Sequence, residues 1–171
     1  MRWQRNIQNE KDMRLNTLIR RVERVQSEIL PIVRKACEGE ERTIVDLNRA
    51  QLARGENAEG VMMNGGAYSP TSIRQRAKLG LPIDHVYLSF EGDLQDGMKV
   101  EFTETGFSVV TDDWKQQLVD EAMRTGYWPS SGYNAPHYGP VFGLDAVSRG
   151  KLIWRIRPRV SEGVRRRLLK G

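Results

Sequence analysis

Apolar residues fall at Leu15, Leu18, Ile19, Val22, Val25, Ile29, Ile32, Val33 and Ala36. Steps of three and four place them all on one stripe of a helix, the strongest periodic signal in the chain. Pro31 interrupts that stripe. A proline has no N–H for the preceding turn, so the pattern predicts two helical pieces, the first ending or kinking near Leu30 and the second carrying Pro31 in its first turn. The opposite face carries Arg14, Arg20, Arg21, Arg24 and Arg34 and reads as a solvated polar face. After Gly39 the spacing of Ile44, Val45, Leu47 and Leu52 predicts a helix near 40–54, with Gly55 as its stop. Residues 55–84 lose periodicity and gain turn formers: Gly55, Gly60, Asn64-Gly65-Gly66, Ser69-Pro70, Gly80 and Pro82. This predicts a long connection with room for a short basic helix over Ser72–Leu79. Asn64-Gly65-Gly66 follows no strand and precedes no Gly-Lys-Ser/Thr, so it reads as a turn and not as a phosphate loop.

Alternation then replaces helical spacing. Residues 86–90, 98–102 and 107–110 read as three strands, with Val86, Leu88 and Phe90 on one face of the first and Met98, Val100 and Phe102 on one face of the second. The short gaps between them predict antiparallel neighbours. Thr111-Asp112-Asp113 offers an N-cap for a helix carrying Trp114, Leu118, Val119, Ala122 and Met123, which Gly126 can end and whose apolar face can cover the sheet. Residues 127–143 are rich in aromatics and proline without a regular period, and residues 152–156 (Leu-Ile-Trp-Arg-Ile) read as a last strand. Beyond Pro158 a helix with Val160, Val164, Leu168 and Leu169 closes the chain and bears Arg165-Arg166-Arg167. The predicted class is α+β: N-terminal helices, a small antiparallel sheet covered by a helix, and a C-terminal helix. Residues 1–39 form a basic helical extension and residues 40–171 an α+β domain.

Composition narrows the function. With 171 residues there is material for one packed domain and an appendage. No apolar run approaches the length of a membrane helix, and the N-terminus lacks a signal peptide's apolar core, so neither membrane contact nor secretion is expected. One cysteine, Cys37, excludes an intramolecular disulfide and is expected at a helix interface. Charge is unevenly spread: residues 1–37 carry 9 basic and 4 acidic residues, 38–148 carry 9 and 17, and 149–171 carry 9 and 1, which gives the total of +5. Basic ends around an acidic middle suit either nucleic-acid contact at the ends or docking of those ends on the acidic middle of a neighbouring copy. The acidic core weighs toward self-assembly or protein partners.

Catalytic chemistry is thin. No Gly-x-Ser-x-Gly or similar signature announces a nucleophile. Asp112-Asp113 sits where an N-cap is wanted, and Glu91, Asp93 and Asp96 lie in a turn, so capping and turn formation account for both groups. His85 and His137 are far apart and lack metal-ligand spacing. We expect no catalytic residue, no metal and no cofactor. The aromatics Tyr68, Tyr127, Trp128, Tyr133, Tyr138 and Phe142 are candidates for subunit or partner contacts. Arg20, Arg21, Arg24, Arg165, Arg166 and Arg167 are candidates for contact with phosphate or an acidic surface.

Four stretches, residues 46–60 (DLNRAQLARGENAEG), Tyr68-Ser69-Pro70-Thr71, residues 86–94 (VYLSFEGDL) and residues 138–144 (YGPVFGL), followed by Arg157-Pro158, together resemble the phage virion-morphogenesis and tail-completion family. The strand-end motif reads Glu91-Gly92-Asp93 where such proteins commonly have Thr-Gly-Asp. The resemblance implies a non-catalytic structural subunit that assembles in the host cytoplasm into a homo-oligomeric ring in the virion neck. That ring would lie at the head–tail junction between portal-side connector and tail proteins. It also implies an Arg-Pro step into a final helix, and DNA passing through the ring with weak, non-specific backbone contact. The competing expectation is a soluble basic nucleic-acid-binding protein using the terminal arginine clusters.

Overall fold

A computed structural model describes residues 2–86, 88, 93–112 and 139–169. The chain forms two compact units, one of residues 1–39 together with 155–171, the other of residues 40–154. Among the described residues the architecture is α+β, with N-terminal helices, a two-stranded antiparallel sheet and a C-terminal helix.

The first unit is a helix pair. α1 runs unbroken over Arg2–Glu38 with Pro31 inside it, so the predicted division into two pieces does not occur. Pro31 and Ser27 both face solvent. The backbone bond that proline deletes is therefore lost on the wet side, where water satisfies the freed carbonyl, while the buried stripe keeps packing. The last helix, α5 here, spans Ala146–Leu169 and supplies residues 155–169 to this unit. Arg21 Nη1 donates to the Leu168 carbonyl at 3.3 Å, Arg167 Nε pairs with Glu28 at 2.5 Å, and Gly163 lies against Ile32. As α1 advances its partners recede along α5, so the pair is antiparallel. A Cβ at Gly163 would sit 2.7 Å from Ile32 Cγ2, so the missing side chain is what admits Ile32. Ala36 and Cys37 are buried, and burial pushes the Cys37 thiol above its ordinary pKa.

In the second unit α2 spans Glu41–Ala53 and buries Ile44, Val45, Asn48, Gln51 and Leu52, one face at helical spacing. It packs on a hairpin of β1, Met98–Phe102, and β2, Phe107–Thr111. The register pairs Val100 with Val109 and Met98 with Thr111, and these four are buried. Thr103 Oγ1 accepts from the Gly106 N–H to close the turn. α3, Pro70–Lys78, is the short basic helix expected in the connection; Ser69 Oγ caps it and Pro70 opens it. Asn64-Gly65-Gly66 forms a 3₁₀ turn. α4 is a single turn, Asp93–Asp96, in the expected acidic turn, and Arg49 reaches from α2 to its Gln95 and Asp96 carbonyls at 2.8 and 3.2 Å.

Beside the break at Pro31, two further expectations fail, and several fall outside. Residues 152–156 are helical, not a strand, because Leu152 and Ile156 are buried while Ile153, Trp154 and Arg155 are exposed, a period of four. Arg157-Pro158, expected as a step into a final helix, lies inside α5. Of the predicted strand 86–90 only Val86 and Leu88 are described, neither lies in a strand, and Leu88 has φ +50°; the whole of the predicted helix after Asp113 lies outside the described residues. Among the described residues, α2 and α4 pack on the sheet.

Replacing Pro31 by Ala restores one backbone hydrogen bond without touching the buried stripe. Stability should rise by about 1–3 kcal/mol, read as a higher urea midpoint at unchanged m-value. A fall would mean that helix packing depends on the proline.

Candidate interaction surfaces

α5 is launched by a buried polar clamp. Asn48 and Gln51, three residues apart on α2, are both fully buried. Asn48 Nδ2 donates to the Gly143 carbonyl at 2.7 Å and Gln51 Nε2 to the same carbonyl at 3.3 Å. Gln51 Oε1 accepts from the Asp145 backbone N–H at 2.8 Å. Asp145 Oδ1 in turn accepts from the Ser148 N–H at 2.6 Å, a helix N-cap, and Arg54 stands 3.5 Å from its other oxygen. Burial opposes ionisation of Asp145. The Ser148 backbone and side-chain hydrogen bonds, with Arg54 and Lys151, outweigh it and hold the carboxyl below its ordinary 3.8. The neighbouring segment is tied as tightly: the Ala58 N–H donates to the Pro140 carbonyl at 2.7 Å, and Asn57 Oδ1 accepts from the Glu59 and Val61 N–H groups.

His85 is structural. Its ring meets the Ala53 carbonyl at 2.7 Å and the Asp84 carboxylate at 2.6 Å, docking residues 84–86 on the end of α2. Gly55, with φ +78°, ends that helix, and a Cβ there would meet the His85 ring at 2.9 Å. A hydrogen bond to the carboxylate from its own backbone N–H, then one from the His85 ring, lower the Asp84 carboxyl pKa. Among the described residues no group of three His, Cys, Asp or Glu is placed to hold a metal ion. None of their helices is long and apolar enough to cross a membrane.

The candidate contact residues separate. Tyr68 is half-buried beneath the Arg76 guanidinium, 4.5 Å from its ring centroid, so part of its surface is spent inside its own unit. Phe142 is half-buried in the clamped 141–145 segment. Tyr127, Trp128, Tyr133 and Tyr138 lie outside the described residues, as does His137. All six arginines fall in the helix-pair unit. Arg20, Arg24 and Arg165 are exposed, Arg21 holds the Leu168 carbonyl, Arg166 pairs with Glu162 at 2.9 Å and Arg167 with Glu28. This unit contains 16 basic and 6 acidic residues, net +10, against 11 and 16, net −5, in residues 40–154. An open groove of about 700 Å³ runs beside Gly39, Pro158 and Gly163, with Lys35, Arg159 and Arg166 along it.

Two apolar surfaces stand out. On α1, Leu15, Leu18, Ile19 and Val22 are 44–56% exposed. On α5, Val147, Ile153 and Trp154 are exposed, Trp154 to 78%. The spacing along α1 shows the first as a stripe, and reading 152–156 as a strand hid the second. The seven-residue step from Val147 to Trp154 was the available helical signal. No family model, no curated protein and no solved structure matches this chain.

Because the native Asp145 pKa lies below its unfolded value, its charge contributes stability that is fully present above pH 3.8 and is lost as pH falls through the native pKa. Asp145→Asn should therefore be less stable than the parent at neutral pH. The difference should shrink on acidification below about pH 4, measured by urea denaturation at a series of pH values.

Proposed function

We propose that this chain is a structural subunit of a tailed-phage neck, forming a ring at the head–tail junction through which DNA passes. The observation that carries the reading is the division of charge: a helix-pair unit of net +10 and an α+β unit of net −5 in one chain. A heterologous contact that joins the basic unit of one copy to the acidic unit of the next can repeat from copy to copy, and it gives a ring where its rotation closes. Exposed Leu15, Leu18, Ile19 and Val22 on the basic unit, and Trp154 on the acidic one, supply apolar area for such contacts. The resemblance of residues 46–60, 68–71, 86–94 and 138–144 to the virion-morphogenesis and tail-completion family supports the neck as the place. Portal-side connector and tail proteins are then its partners. The described chemistry fits a non-catalytic role, since the buried polar groups Asn48, Gln51, Asp145 and Ser148 are spent on holding backbone.

A second reading, a soluble nucleic-acid-binding protein, is favoured by one observation: both basic ends belong to the same unit, with Arg20, Arg24 and Arg165 exposed on it. The two readings differ in salt dependence. Dedicated phosphate binding requires strong affinity that falls steeply with salt, whereas a ring through which DNA slides requires only weak contact.

Native mass spectrometry and electron microscopy of the purified chain should show closed rings at a fixed multiple of 19.6 kDa, and virions should contain it at the neck. A monomer absent from particles would defeat the proposal. In a salt-titrated binding assay on duplex DNA, affinity should stay weak, in the range of non-specific binding (about 10⁻⁴–10⁻⁶ M at physiological salt). Much tighter binding would favour the second reading.

A further inference from the structure

The His85 ring stands between two oxygens that can only accept. Its Nδ1 lies 2.6 Å from a carboxylate oxygen of Asp84, and its Nε2 lies 2.7 Å from the Ala53 carbonyl. A neutral imidazole has one N–H and one lone pair, so one of its nitrogens would face an oxygen at hydrogen-bond distance with no proton between them. Changing the tautomer only moves that repulsion to the other oxygen. With a proton on each nitrogen both contacts run from donor to acceptor, and the one to Asp84 is charge-assisted. The surroundings suit the cation. Ala53 is the last residue of α2, so its carbonyl belongs to the negative end of the helix dipole. At the same corner Arg54 is turned to the Ala50 carbonyl, Glu56 and Asp145, and it is the Asp84 carboxylate that meets the ring.

We propose that His85 is a proton-operated clasp: with two ring protons it fastens the end of the connection that carries α3 to the C-terminal end of α2, and on losing one proton it releases one of its two holds. The fold puts the clasp where a loop closes. The backbone of residues 85 and 86 passes over Gly55, where a Cβ would lie 2.9 Å from the His85 ring and 3.0 Å from the Val86 carbonyl, and Val86 is buried. At the other end of the connection the Met63 N–H donates to the Gly55 carbonyl at 2.8 Å. Both ends of 63–86 therefore meet at Gly55, and α3 with its Arg76–Tyr68 pair lies on the loop between them. The clasp is complete while His85 holds two protons and Asp84 none. It weakens as pH rises and the ring gives up a proton. Toward acid, the folded-state pKa of Asp84 lies below its ordinary 3.8, so the carboxylate supports the clasp above that value and is lost as pH falls through the folded one.

The test is hydrogen–deuterium exchange of the full chain, read by mass spectrometry on peptides from 63–86 with the 98–111 hairpin as internal reference. After correction for the intrinsic pH dependence of exchange, protection of 63–86 relative to the hairpin should fall about 10-fold between about pH 5.5 and 8, the range in which histidine changes charge. His85→Gln replaces the ring by a group that does not titrate and should remove the fall. Asp84→Asn should remove it as well, because a carboxamide can donate to Nδ1 of the neutral ring while Nε2 keeps its proton for the Ala53 carbonyl. Asp84 is 67% exposed and the His85 side chain 25%, so both variants should fold, which circular dichroism checks. Nitrogen-15 NMR, with His85→Gln identifying the signal among the two histidines, should show an N–H on each His85 ring nitrogen at the acid end of the range, both slow enough in exchange to be observed. Protection of 63–86 that does not change with pH in the parent overturns the clasp, as does a fall that persists in either variant. A His85 ring with a single N–H while 63–86 keeps its full protection overturns it too.

Discussion

Burying two carboxamides on one face of α2 obliges another part of the chain to come and satisfy them. Asn48 and Gln51 lie out of water at the centre of the 40–154 unit, and an unpaired amide there would cost about 1–3 kcal/mol. The 141–145 segment meets most of that demand with the Gly143 carbonyl and the Asp145 N–H, although almost a hundred residues separate the partners, and among the described residues Asn48 Oδ1 alone of these amide oxygens has no hydrogen-bond partner. The same Asp145 then turns its carboxylate onto Ser148 and starts α5. The start of α5 follows from where that one hydrogen-bonded corner is pinned.

The helix-pair unit obeys a different constraint. It concentrates a net charge of +10, which repels itself. Local ion pairs of Arg34 with Glu38, Arg166 with Glu162 and Arg167 with Glu28 offset only part of this. Exposed pairs of this kind contribute little individually. Apolar packing of Ile29, Ile32, Ala36 and Cys37 must therefore hold the helices together, and it does so on the half of the stripe nearer Gly39.

Legibility in the sequence tracked the locality of the cause. The helix at 41–53, the hairpin at 98–111 and the Ser69–Pro70 start of α3 were readable because spacing, turn residues and caps act within a few positions. The two prolines misled for one reason: breaking a helix is a local tendency, and α1 and α5 continue through Pro31 and Pro158, supported by packing contacts that no window of sequence contains. Leu152 to Ile156 was ambiguous because five apolar-rich residues fit either period until the Asp145 cap selects the helix. The candidate arginines were legible as charge but not as geometry. Their gathering into a single unit depends on the chain ends coming together, and Arg21 and Arg167 turn out to be engaged within it. The exposed end of the α1 stripe was visible only as periodicity, since exposure depends on where α5 stops.

Cys37, the sole thiol of the chain, sits buried in the helix-pair unit with its thiolate disfavoured. Reagents that attack thiolates reach it only when that unit opens. The protein thus carries a built-in clock for one of its two halves: the rate at which an alkylating agent consumes the thiol counts separations of the helices, with no label added.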